Sequence, residues 1–322
     1  MKAVMCHVYG SPDDLTYEDV EKPVAGDNEV LIKVHAASVN PLDWHMKRGT
    51  LLMRLMSGLR RPKNPRLGVD MAGQVEAIGK NVTQFKPGDE VFGSCQGAFA
   101  EYACAPVSSL VLKPENVSFE HAAAVPVVAY TALQGLRDKA RLQPGQKILI
   151  NGASGGVGTM AVQIAKWLGA EVTAVCSGKN ADLVRSIGAD RVIDYSKENF
   201  TQSGYQYDVI FDLVSNQSLT ACRRVLKPKG IYIGAGVLSS HATSRILLDM
   251  LKLIVMSWFA KQRLISFMAR RSREELAIIG DLMKSGKVKA VIDRRYKLSE
   301  VPEAIKYLET GRVRGKLVIS IA

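Results

Sequence analysis

Residues 146–194 constrain this chain more than any other stretch. Residues 147–151 (KILIN) form a short apolar run, read as a buried parallel strand. The glycine-rich turn Ala153-Ser154-Gly155-Gly156-Val157-Gly158 follows. Residues 159–168 carry apolar side chains at helical spacing, Gly169-Ala170 stops that helix, and 171–176 (EVTAVC) read as a second strand. A strand, a glycine turn, a helix and a parallel strand make the unit that holds the pyrophosphate of a dinucleotide. Gly155 and Gly156 let the backbone approach the phosphates, and Gly158 lets the helix lie close to the strand. The helix start supplies free N–H groups and the positive dipole end. The usual first glycine of the fingerprint is Ala153 here, with Gly152 before it.

The alternation of strand and helix continues past Asp194. Strands are expected over 207–214, 230–236 and 263–268, and helices over 217–226 and 245–260. This predicts a six-stranded parallel sheet across residues 123–272. Ahead of it, 2–9, 29–39, 68–78, 90–94, 98–105 and 110–112 read as short strands, with a short helix beginning at Pro41. Residues 50–66 resemble an insertion and hold five basic and no acidic side chains. After 273 come a helix (274–284), a strand (291–296), a helix (300–309) and a strand (316–321). Six strands already fill the nucleotide sheet, so this tail is expected to return and complete the first domain. The expected fold is α/β, with an all-β, barrel-like domain (1–122 and 273–322) and a doubly wound nucleotide domain (123–272).

Several motifs run through the chain: SVNPLDW at 38–44, GVDMAGQVEAIG at 68–79, FKPGDEVFG at 85–93, AVPVVAYTAL at 124–133, NGASGGVG at 151–158 and GRVRGKLVI at 311–319. Together they resemble the medium-chain dehydrogenase/reductase superfamily over nearly the whole length. Within it the chain is similar to the zinc-free quinone oxidoreductase branch, and to its reticulon-4-interacting-protein and plant alkenal/enone reductase group. The resemblance implies a GroES-like β-barrel catalytic domain, a Rossmann domain, and an active site between them. Zinc-using relatives place a cysteine, a histidine and a cysteine where this chain has Asn40, Val69 and Val127. Neither an amide nor a valine supplies a ligand for tetrahedral zinc, so no metal is expected. Without a Lewis acid to hold an alkoxide, the expected reaction is hydride delivery to a quinone or another conjugated carbonyl.

Selective NAD binding uses a carboxylate at the end of the second strand. Here that place reads Val175-Cys176-Ser177-Gly178-Lys179, without a carboxylate. Ser177 and Lys179, with Tyr195 assigned by the resemblance, are the candidates for a 2′-phosphate, and NADPH is the expected cofactor. Asn40 and Thr131 are the candidate catalytic residues, one for the substrate carbonyl or ribose and one beside the nicotinamide. Tyr130 and Asp43 are candidate proton relays.

The chain carries 43 Lys and Arg against 31 Asp and Glu, a net charge of +12. Such a surplus favours anionic partners. Nucleic acid is not expected, because only 7% of residues are aromatic and none interleave with the basic runs. The basic, apolar segment 245–273 reads as a helix and strand at a homodimer interface. The alternative is a patch touching membrane lipid, which 50–66 could join. Five scattered cysteines and the absence of a leader-like opening point to a cytoplasmic protein, peripheral to a membrane in the alternative reading.

Overall fold

In the computed structural model, residues 1–235 and 261–321 are described. The chain divides into two compact units, Met1–Val127 with Arg271–Ala322, and Val128–Arg270. The expected helix over 245–260 lies outside the described residues. So does most of the basic apolar segment beginning at 245.

The first unit opens with β1 (Lys2–Met5), β2 (Thr16–Asp19) and β3 (Glu29–Val39). Two helices follow, α1 (Pro41–Arg48) and α2 (Leu51–Ser57), then β4 (Asp70–Ile78), β5 (Glu90–Ser94), β6 (Tyr102–Pro106), β7 (Leu110–Leu112), α3 (Phe119–Ala123) and α4 (Pro126–Leu133). The eleven-residue β3 organises the barrel. Its first half pairs antiparallel with β6 and its whole length with β4. Ile32, Met71, Val91, Phe99 and Leu110 fill the interior. The boundary between units falls inside α4 rather than ahead of residue 123. The physical reason is local: the Val127 N–H donates to the Asp70 carboxylate at 3.3 Å, which ties the start of α4 to the barrel.

The second unit holds β8 (Lys147–Asn151), α5 (Gly156–Trp167), β9 (Glu171–Cys176), α6 (Ala181–Ser186), β10 (Arg191–Asp194), β11 (Tyr207–Asp212), α7 (Leu219–Arg224), β12 (Leu226–Gly234) and β13 (Arg263–Ser266). All pair in parallel, in the order β10-β9-β8-β11-β12-β13. Central strands such as β8 and β11 are buried almost throughout, as their near-continuous apolar runs require. Order reverses between β8 and β11, so the crossovers leave the sheet in opposite directions there. Such a reversal opens a crevice at the carboxyl edge.

The chain then returns to the barrel through α8 (Arg273–Lys284), β14 (Ile292–Lys297), α9 (Val301–Glu309) and β15 (Lys316–Ser320). β15 pairs antiparallel with the second half of β3, taking the edge that β6 leaves free. The expected return of the tail is thus present.

Three local expectations are revised. The strand expected over 98–105 forms only from Tyr102, because Gly97 (φ +93°) and Ala98 both donate to the Gly68 carbonyl and turn the chain. Part of the insertion-like stretch 50–66, given no secondary structure from the sequence, is the helix α2. β2 was not expected: its sequence TYED is mostly exposed and carries no apolar alternation.

Candidate functional site

The nucleotide unit gathers the expected residues at the carboxyl ends of β8, β9 and β10. After Asn151 the chain turns at Gly152, whose φ is +89° and whose missing Cβ would lie 2.7 Å from Val214. Gly152 therefore performs the tight turn that the fingerprint assigns to its first glycine, and Ala153 can be an ordinary buried residue. A Cβ on Gly158 would fall 2.1 Å from the Gly152 carbonyl oxygen, so this glycine is what lets α5 sit against the turn. Gly155, by contrast, has only that oxygen near its missing Cβ, at 3.6 Å. Close packing governs Gly158, whereas Gly155 keeps the backbone open to a ligand. Gly155 is also the N-cap of α5 and provides no side chain to bond the first N–H groups. The backbone N–H groups of Gly156, Val157 and Gly158 thus receive no side-chain cap, the arrangement that suits an anion. Ser154 lies half-buried beside them.

Ser177 caps a short turn over Gly178–Asn180 at the end of β9, with its hydroxyl uncommitted to the cap. Lys179 is exposed and makes no ion pair among the described residues. Tyr195, 58% exposed, follows β10, which pairs with β9 so that Asp194 stands opposite Cys176. Sequence reasoning missed two residues here. Asn180 is buried, donates to Ser154 Oγ at 3.0 Å, and leaves its Oδ1 without a partner. An unsatisfied buried amide oxygen costs free energy until a donor reaches it, and a nucleotide hydroxyl could serve. The second is Asp194. The expectation of no carboxylate near this loop holds for 175–179 but not in space, because a Cβ on Gly178 would lie 2.4 Å from Asp194 Oδ2. That carboxylate accepts from the Ser196 hydroxyl (2.8 Å) and N–H (3.1 Å), which hold it below the usual range.

The floor of the crevice is a buried polar knot. Asp212 accepts from Asn151 Nδ2 (2.9 Å), Tyr232 Oη (2.9 Å) and the N–H groups of Val214 (3.1 Å) and Ser215 (2.9 Å). It fixes the loop after β11, where Ser215 adopts φ +56°. Thr131 lies half-buried on α4 of the same unit.

The barrel unit holds a second polar cluster, fully buried. Asn40 Nδ2 donates to Asp70 Oδ2 (3.0 Å) and to the Ser38 carbonyl (3.3 Å), while Lys316 Nζ donates to Asn40 Oδ1 (2.6 Å) and the Val39 carbonyl (2.9 Å). Ser94 Oγ adds a bond to Asp70 at 3.2 Å. Both N–H groups of the Asn40 amide are thus engaged. As built, it has no spare donor for a substrate carbonyl, and its geometry is that of a bridge between a cation and a carboxylate. Asp43 accepts from the Asn40 N–H (2.8 Å) in a capping box at the start of α1. Burial pushes its carboxyl up to about 7, against the pull of that N–H and of Lys316. Burial likewise raises Asp70 and lowers Lys316, each against the attraction of the other.

Asn40, Val69 and Val127 converge around Asp70, which accepts from Asn40 and Val127 and follows Val69 in sequence. An amide and two valines do not fit a tetrahedral zinc. Among the described residues, no group of three or more His, Cys, Asp or Glu could hold a metal ion.

Comparisons with known proteins agree with this anatomy. Residues 26–115 match the alcohol dehydrogenase GroES-like domain and residues 187–319 match the family described as zinc-binding dehydrogenase. The chain is 35% identical to the chloroplastic quinone-oxidoreductase QR1 of Triphysaria versicolor, over 99% of this chain and 98% of that one. The chain belongs to the quinone oxidoreductase branch of the medium-chain dehydrogenase/reductase superfamily. A second relative in this superfamily, the chloroplastic NADPH-dependent alkenal/one oxidoreductase of Arabidopsis thaliana, is 31% identical over 99% of this chain and 79% of its own length. The solved quinone oxidoreductase of Coxiella burnetii superposes with a TM-score of 0.87 at 31% identity, covering 100% of this chain and 99% of that one. The medium-chain fold therefore spans this chain.

Proposed function

We propose that this protein is an NADPH-dependent reductase that delivers hydride to a conjugated acceptor, a quinone first and an α,β-unsaturated carbonyl second. The observation that carries the reading is the glycine turn, to whose Ser154 the buried Asn180 is hydrogen-bonded, with the uncapped start of α5. In this reading the first N–H groups of α5 bind the pyrophosphate, and Ser177, Lys179 and Tyr195 take the 2′-phosphate. Asp194 Oδ1 accepts from Ser196, while its Oδ2 lies beside Gly178 of the same loop. When bound, the nicotinamide supplies a hydride from its C4 carbon. Thr131 is the residue proposed to border it. Asn40 is proposed to act indirectly, as part of the buried cluster that sets the start of α1.

The names of the relatives support both acceptor classes, and the donor set at 40, 69 and 127 supports an acceptor activated by conjugation. The test is the oxidation of NADPH and of NADH against a panel of quinones and enals, with NADP⁺ and ethanol as the control pair. Turnover of a quinone or an enal, faster with NADPH than with NADH, is expected. Rapid ethanol oxidation, or turnover of neither acceptor, would overturn the proposal.

A further inference from the structure

Among the described residues, the segment 50–66 shows an exposed apolar face and a set of cations without counter-ions. Leu51, Leu55 and Met56 on α2 are 61%, 66% and 72% exposed, and Leu59 just beyond it is 65% exposed. Val8, beside the segment's anchor at Tyr9, is half exposed as well. Single exposed leucines are ordinary, but four large apolar side chains within nine residues form a contiguous feature that marks an interaction surface. Arg60, Arg61 and Lys63 are exposed and make no ion pair among the described residues. The segment has five basic and no acidic residues.

This face is held rather than loose. Tyr9 Oη donates to the Gly58 carbonyl at 2.7 Å, and the Arg54 guanidinium lies 4.8 Å from the Tyr9 ring centroid. Arg54 also donates to the carbonyls of Gly49 (2.7 Å) and Leu59 (3.3 Å), so its charge is spent on shaping the segment. Met53 is buried, and the Cys6 N–H donates to the Pro65 carbonyl at 2.7 Å. A helix turned inward through Met53 and Arg54 must turn Leu51 and Leu55 outward. Beside it, His7, Arg61, Pro62, Lys63 and Pro65 line an open hollow that carries the cations Arg61 and Lys63. Glu18, the acid in contact with that hollow's lining, is bonded to His7 at 2.9 Å.

We propose that residues 50–66 dock this protein on an anionic phospholipid bilayer. Leu51, Leu55, Met56 and Leu59 enter the boundary between headgroups and acyl chains, and Arg60, Arg61 and Lys63 bind lipid phosphates. The charge chooses the occupant: a neutral protein face would satisfy the leucines and leave three cations unpaired, and nucleic acid would satisfy the cations and leave the leucines in water. The proposal does not depend on the reductase reading.

The experiment is co-sedimentation of the full chain with vesicles of phosphatidylcholine alone or with about one-third phosphatidylserine. Two surface variants are compared, Leu55→Ser with Met56→Ser, and Arg60→Glu with Arg61→Glu and Lys63→Glu. The wild type is expected to bind the phosphatidylserine vesicles and not the neutral ones. The charge variant should lose affinity on the order of a hundredfold, and the apolar variant at least about tenfold. Unchanged far-ultraviolet spectra and NADPH binding establish that both variants are folded. Equal binding to neutral vesicles, or unchanged binding by either variant, would overturn the proposal. So would binding by the wild type to single-stranded RNA in place of vesicles, or an apolar variant whose only change is loss of a dimer in solution.

Discussion

The two polar clusters of this protein are built on opposite principles. In the barrel, Asn40, Asp70, Ser94 and Lys316 satisfy one another, and no N–H of the Asn40 amide is left over. In the nucleotide unit, Asn180 keeps a bare buried oxygen, α5 begins without a side-chain cap, and Lys179 stands exposed. A cluster that completes itself is a structural brace. A cluster that leaves donors and acceptors idle is built for a visitor. Sequence alone ranks Asn40 with Lys179 as functional; their surroundings separate them.

The largest effect should come from breaking the closed cluster. Lys316→Met leaves the Asp70 carboxylate buried without its cation and should cost about 3–5 kcal/mol of stability, read from urea unfolding. An unchanged midpoint would mean that the amide and serine alone carry the brace. A smaller effect should follow from Asp43→Asn, and it depends on pH. The Asp43 carboxyl titrates near 7 when folded against 3.8 as its ordinary value. The folded state therefore binds the extra proton between those values, and stability falls as pH rises through that window. The asparagine variant should flatten this slope between about pH 4 and 7, and a slope equal to the wild type would assign the pH dependence elsewhere. The smallest effect on stability belongs to Lys179→Ala in the open site, where no protein partner is lost. Its consequence should be seen in cofactor choice instead. Loss of one charge-assisted bond weakens NADPH by about tenfold or more and leaves NADH unchanged, measured by fluorescence titration of both.

The legible parts of the molecule were those dictated by the local backbone. The turn at 151–158 can be read because a tight bend and a close helix demand glycine at fixed offsets, and the apolar runs of β8 and β11 announce buried parallel strands. Even the displaced first glycine was visible, since Gly152 stands next to Ala153. What could not be read depends on pairing across distance. Asp194 reaches the loop after β9 only because β10 lies in register beside β9. Lys316 sits within a motif noticed in the sequence, yet its bond to Asn40 joins residues 276 positions apart. The sequence makes Asn40 a candidate for the substrate carbonyl or the ribose because it shows the residue and not its neighbours. The buried oxygen of Asn180 had no signal beyond an asparagine at the start of a helix.

The split of the barrel around the nucleotide unit sets an order of assembly on a ribosome. Lys316 emerges 277 residues after Val39, whose carbonyl it will bind. At roughly 5–20 residues per second that is a delay of about 14–55 s, ample for the inserted parallel sheet to fold first. Through that interval the second half of β3 is an unpaired edge, and Asn40 and Asp70 must stay hydrated without their cation. Nascent chains halted before β15 should therefore present a finished nucleotide unit joined to a half-made barrel, the form most open to chaperone capture.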